Sequence, residues 1–192
     1  MDEDTLDDVL LNAHQNPQEV EFAGFWIRFL ASIVDSFALI PLVLLSFYNI
    51  FVLKSVLLMI ILTILSTIYK PLLEWRYGAT LGKMAVKIQV VNENLGKINA
   101  EQAIGRYIPW LITQLLSLIT SFYMFNSPDF DNVTSFDDLG TFAQNLPTDN
   151  ASTIYNFIFI FLVGSLAFDK RKQGIHDKIA KTLCIKKNQK NV

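Results

Sequence analysis

The chain has 192 residues, 52% of them hydrophobic and 15 of them Phe, with a formal net charge of −2 and a mean hydropathy of +0.34. That is too apolar for an ordinary soluble domain of this size, and the lack of net positive charge argues against a nucleic-acid-binding protein. A single cysteine, Cys184, excludes an intramolecular disulfide framework and a Cys-based zinc cluster, and is read as a small buried apolar residue.

Residues 1–21 form an acidic lead whose Asp2, Glu3, Asp4, Asp7 and Asp8 are the reverse of the positive start of a signal peptide, so the first span is expected to target the chain. Two apolar helices over about 25–47 and 50–70 are read as a hairpin turning between Tyr48 and Lys54. Lys54 is expected to snorkel to lipid headgroups, and Pro41 to kink the first helix. Beyond Gly82, Met84 to Val91 alternates like a strand and Asn92 to Gly96 supplies a turn before Lys97 and Ile98. With Thr182 to Ile185 as a further strand, residues 84–98 and 182–186 are expected to make a small cytoplasmic hairpin or three-stranded ribbon.

A third helix over about 104–125 and a fourth over 151–168 carry the uncharged runs from Tyr107 to Ser127 and from Asn150 to Phe168. Each run reaches the roughly 17 to 25 residues that cross about 30 Å of hydrocarbon. The outer loop 126–150 is expected to hold a short helix around Ser135 to Gln144. Ile175 to Ala180 is expected to form one or two helical turns, and residues 186–192 a basic tail.

Orientation follows from the bases. Lys70, Arg76, Lys83, Lys87, Lys97 and Arg106 lie between the second and third helices, and eight more follow the fourth. The outer loop has Asp129, Asp131, Asp137, Asp138 and Asp149 but no Lys or Arg. The positive-inside rule makes the basic segments cytoplasmic. The expected fold class is therefore an all-α membrane protein with four transmembrane helices and both termini inside. Anionic lipid at the cytoplasmic face is the expected counterpart of the basic segments.

Asp35 lies ten residues, about 15 Å of rise, beyond Phe25 and so deep in the bilayer. A carboxylate there has to be paired, hydrated or protonated. Ser32, Thr63, Ser66, Thr113 and Gln114 are the candidate partners. Arg28, seven residues earlier, lies beyond easy contact and is expected near the interface, with Asp177 or a lipid phosphate as counterion. Glu74, placed just past the second helix, is expected to pair with Arg76 or Lys83 in a solvated arrangement. His176 and Asp177 suggest capping of the short tail helix or an ion pair with Arg28 or Arg106, not a metal site. The stretch Gly78 to Lys83 fails as a phosphate loop, because Tyr77 stands at the first glycine position and Met84 where Ser or Thr would hold magnesium.

Arg28 and Asp35, Gly78-Ala-Thr-Leu-Gly-Lys-Met followed by Val86 to Val91, Arg106, and Gly174-Ile-His-Asp-Lys together resemble the RDD family of bacterial membrane proteins over roughly residues 22–185. The family is named for one arginine and two aspartates; Arg28 and Asp35 match the first two and Asp177 is assigned to the last. The resemblance implies an inner-membrane location and, from some members, a proposed cation/proton exchange. The residues themselves show no nucleophile-base pair or nucleotide motif, so no enzyme and no cofactor are expected. The chain is read as a structural or assembly subunit of a membrane complex. The alternative is a small cation/proton exchanger using Asp35, which in so short a chain requires a homo-oligomer.

Overall fold

A computed structural model describes residues 20–146, 149–165, 169 and 171–187. Most of the acidic lead, most of the basic tail and the end of the expected fourth helix lie outside these residues. Helix α1 (Phe25–Tyr48) runs on through a π-helical turn at Asn49–Leu53 and is stopped by Lys54 in the left-handed region, φ 48°. The Asn49 side chain fixes this reversal by bonding both Ser55 O and Ser55 N, each at 3.0 Å. Helix α2 (Val56–Tyr77) starts with the Ser55 hydroxyl capping Leu58 N–H and ends at Gly78. After it come a short helix α3 (Leu81–Ala85), strand β1 (Ile88–Asn92) and helix α4 (Ala100–Phe125). A 3-10 turn at Pro128–Asn132, helix α5 (Phe136–Gln144), helix α6 (Asp149–Gly164), the short α7 (Ile175–Ile179) and strand β2 (Thr182–Lys186) complete the order.

Among the described residues three segments, Phe25–Leu53, Val56–Tyr77 and Ala100–Phe125, are long and apolar enough to cross a membrane. Their bulky side chains face outward, Leu57 at 68% exposure among them, as a lipid-facing surface requires. The expected count was four. The described part of α6 has 16 residues, which rise about 24 Å and fall short of the roughly 30 Å of hydrocarbon. The hairpin also differs in register from its expected 50–70 partner. Because α2 extends to Tyr77, Glu74 lies within the helix and not past it.

The ribbon is two-stranded. Residues β1 and β2 pair antiparallel from Ile88↔Lys186 to Asn92↔Thr182. Met84 and Ala85 are helical instead of extended, since Thr80 caps α3 by accepting Lys83 N–H. Lys97 and Ile98 add no strand: Asn92 Oδ1 draws in Asn94 N–H and Gly96 N–H, and Asn99 then opens α4 with a capping box to Gln102. A single bridge, Phe22↔Ile185, reinforces β2 from its other side. Cys184 is fully buried here with Ala23, Ala31, Ile88, Val90, Ile98 and Ala103.

The acidic loop has its own small core, where Phe130 and Val133 pack on Met124 at the end of α4. Lys54 does not reach outward as expected. Its ammonium donates to Phe130 O at 2.9 Å and Asp131 O at 2.7 Å, tying the hairpin turn to this loop. The short helix expected there is α5, opened by a capping box between Ser135 and Asp138.

One close approach positions the rest of the ribbon side. Helix α3 lies so tightly on α1 that a Cβ at Gly82 would sit 1.9 Å from Ala31 O and 2.8 Å from the Asp35 carboxyl carbon. Only glycine fits. Gly82→Ala is therefore expected to destabilise the protein by about 1–3 kcal/mol, as overpacking does. Gly140→Ala, in α5 with no neighbour within 4 Å, is expected to stabilise by about 0.5–1 kcal/mol. Thermal unfolding of both variants in detergent checks the contrast.

Candidate functional site

Helix α1 carries Arg28 and Asp35, α2 carries Tyr69, Lys70 and Glu74, and α3 with its cap brings Thr80, Gly82 and Lys83 against them. Asp35 is 3% exposed. Its carboxylate accepts from Tyr69 Oη at 2.9 Å, Thr80 Oγ1 at 2.6 Å and Gly82 N–H at 2.7 Å. None of the five partners suggested by the sequence supplies these bonds. The donors come from the α2 end and the turn behind it, because α3 folds back onto α1 and brings irregular backbone to the depth of Asp35. The Thr80 hydroxyl serves twice, donating its proton to Asp35 and accepting the α3 capping bond.

Below this group lies a chain of buried ion pairs. Lys83 bonds Glu74 Oε1, and Arg106 Nε holds Glu74 Oε2 at 3.0 Å. Arg106 Nη1 is 2.6 Å from Asp177 Oδ1, and Arg28 Nη1 is 2.5 Å from Asp177 Oδ2. The remaining Arg28 nitrogens donate to Ala23 O and Lys172 O. Arg106 also donates to Thr182 Oγ1 at 2.8 Å, joining the network to β2. Thus the expected Arg28–Asp177 pairing is present, and Asp177 also caps α7 by accepting Gly174 N–H. Glu74 departs from expectation: it pairs with Lys83 but is buried, not solvated, at 7% exposure. Pairing from two sides is what permits a carboxylate to stay charged there.

His176 Nε2 turns back to 3.2 Å from Asp177 Oδ1, although neighbours on a regular helix do not share a site. The five-residue α7 is a single turn with space for this fold-back beside Gly174, where a Cβ would meet the imidazole at 2.6 Å. The ring stands edge-on to Trp110, centroids 5.0 Å apart. Among the described residues no group of three His, Cys, Asp or Glu could hold a metal ion.

These groups surround a cavity of about 370 Å³, lined by Arg28, Asp35, Lys70, Glu74, Arg106 and His176 with an apolar wall that includes Phe29 and Phe159. Lys70, read from sequence only as topology-setting charge, extends its ammonium over the Trp110 ring at 5.6 Å. Tyr69 carries no signal in the sequence, and Thr80 and Gly82 enter there only within the family-like stretch Gly78 to Met84, with no link to Asp35. A hydroxyl or glycine shows its role only when the turn that carries it meets a distant helix.

Outside the spans, two directions of titration follow. Burial opposes the Asp177 charge, but Arg106, His176 and Arg28 outweigh it and hold the carboxyl well below the usual carboxylate range. Burial holds the His176 imidazole below its ordinary value, with Asp177 opposing and Arg106 and Arg28 assisting. The unfolded chain then takes up the His176 proton before the folded one does. This contribution to stability is complete above an unfolded value of about 6.5 and is lost as pH falls below it. The thermal midpoint is expected to fall between pH 7.5 and 5.5 less steeply in His176→Gln than in the wild type. Arg106→Met removes one of the two cations from each of two buried carboxylates and is expected to cost about 3–5 kcal/mol; Arg76→Ala, at an exposed position, is expected to cost under about 0.5 kcal/mol. Chemical or thermal denaturation measures both.

Comparison with known proteins agrees with this architecture. The RDD family model matches residues 22–181, from the strand-like contact at Phe22 to the turn before β2. The chain is similar to the uncharacterized protein YxaI of Bacillus subtilis (strain 168), with 29% identity over 126 residues, covering 50% of this chain and 81% of the relative. No solved structure matches. With the family match spanning the hairpin, the ribbon and the buried charges alike, this multi-span protein of the bacterial inner membrane belongs to the RDD family.

Proposed function

We propose that the protein exchanges protons for a small cation across the membrane, with Asp35 as the group that binds each in turn. The observation that carries this reading is an asymmetry among the buried carboxylates. Glu74 and Asp177 are each held by two cationic side chains. Asp35 is bound only by a phenol, an alcohol and an amide, and forms no ion pair within 4 Å among the described residues. A carboxylate with neutral donors retains its charge toward an incoming ion, whereas one already neutralised by arginine does not. Asp35 also lines the charged cavity, which supplies access from the ribbon side.

In this reading α6 completes a fourth span, and both termini lie on the cytoplasmic side with the basic segments. The working unit is a homo-oligomer, since one small copy offers little room for alternating access. The paired network of Arg28, Arg106, Lys83, Glu74 and Asp177 fits a rigid frame holding the helix ends to the ribbon. That rigidity also suits the second reading, an assembly subunit, in which Asp35 is only a packing contact.

Everted vesicles containing the protein decide between them. Addition of Na+ or K+ salt is expected to dissipate a preformed proton gradient, and Asp35→Asn is expected to reduce that movement at least ~10-fold, as loss of an essential proton-binding group does. Asp138→Asn, in the acidic loop, is expected to leave it unchanged. Equal proton movement in Asp35→Asn and the wild type, or none in either, would remove the exchange reading; a stoichiometric membrane partner on purification would then favour the subunit.

A further inference from the structure

A second cavity of about 300 Å³ lies between α1, α2 and α4, on the side of the acidic loop. Three helical stripes face it at three- and four-residue spacing: Leu39, Leu42, Val43 and Ser46 on α1; Met59, Leu62, Thr63 and Ser66 on α2; Gln114, Ser117 and Ser121 on α4. Seven of its fifteen lining residues are polar.

Polar side chains between membrane helices commonly act as glue by bonding across the interface. These do not. Ser46, Thr63 and Ser66 donate their protons to carbonyls of their own helices, Leu42 O, Met59 O and Thr63 O. All three residues line the cavity, and each hydroxyl oxygen keeps its capacity to accept. Ser117 and Ser121 have no hydrogen-bond partner among the described residues. A space of this size with several acceptors suits a small group of hydrogen-bonded waters.

The position of the cavity is as telling as its chemistry. Leu39 is one helical turn from Asp35 along α1, and Ser66 is one turn from Tyr69 along α2. The charged cavity on the ribbon side reaches Asp35 itself. The Tyr69–Asp35 hydrogen bond, 2.9 Å long, therefore joins a residue of the charged cavity's lining to one a single helical turn from Ser66 in the lining of the other.

We propose that the cavity on the acidic-loop side is a water-filled vestibule that carries protons to Asp35, with the Tyr69–Asp35 hydrogen bond as the seal separating it from the charged cavity. This rests on the exchange reading for its purpose, but the presence of water is independent of it. Breaking the Tyr69 bond joins the two cavities; remaking it closes them.

Cysteine reactivity tests the vestibule in the full chain, with fully buried Cys184 as an unreactive internal reference. Ser66→Cys, Ser117→Cys and Ser121→Cys are near-isosteric, while Leu115→Cys and Ile119→Cys place the thiol on exposed apolar positions of α4. Each is treated with an impermeant, charged methanethiosulfonate from the acidic-loop side. The three vestibule positions are expected to react at least ~10-fold faster than the two apolar ones, because the thiolate that reacts forms only where water reaches it. Equal rates in the two groups would overturn the vestibule. Modification of Ser66→Cys is expected to halt salt-driven proton movement, and undiminished movement after complete modification would overturn the route. If the wild type moves no protons, the exchange reading falls, while the pattern of reactivity still decides whether water fills the cavity.

Discussion

A carboxylate among apolar helices must be met by cations or hydrogen-bond donors, and the ribbon-side half of this protein is built around that requirement. Asp35, Glu74 and Asp177 are all buried, and each draws a different part of the chain inward. Asp35 recruits the turn before α3, Glu74 joins α2 to α3 and α4, and Asp177 anchors the C-terminal segment on α1 and α4. Together with the small apolar core of Ala31, Ile88, Val90, Ala103 and Cys184, these demands hold a polar turn, a one-turn helix and a two-stranded ribbon against the helix ends.

The solutions differ in kind, and the difference bears on function. Two carboxylates are neutralised by pairs of basic side chains, giving static joints that resist movement. The third is satisfied by three neutral donors and forms no ion pair within 4 Å among the described residues. Gly82 makes this possible, because the absence of a side chain lets its N–H approach the α1 carboxylate closely. In the proposed exchange reading, the ion site and the frame that holds it are thus separated within one buried cluster.

The other end of the protein follows a looser rule. Lys54 spends its donors on loop carbonyls, and Phe130 and Val133 shield the end of α4. The helices there are joined by apolar packing, while Ser46, Thr63 and Ser66 bond only within their own helices, and a cavity is left between them. Ion-paired at the ribbon and held by apolar contacts toward the acidic loop, the helix cluster leaves a cavity at each end, of about 370 and 300 Å³.

Residue order alone was enough to establish a multi-span membrane protein, a hairpin turning between Tyr48 and Lys54, a short helix around Ser135 to Gln144, the β character of 182–186 and Asp177 as one of two candidate counterions of Arg28. These depend on hydrophobic run length, local capping and strong residue signatures, all of which act over short distances or survive any packing. The tertiary structure decided the partners of Asp35, the burial of Glu74, the helical state of Met84 and the replacement of an expected hairpin by pairing between β1 and β2. Those outcomes depend on which distant segments meet: alternation over Met84 to Val91 cannot reveal that Gly82 will lie against Ala31, nor can a lone Thr80 announce the carboxylate it will serve. Long-range contact, and the cost of leaving a buried charge unmet, made those choices.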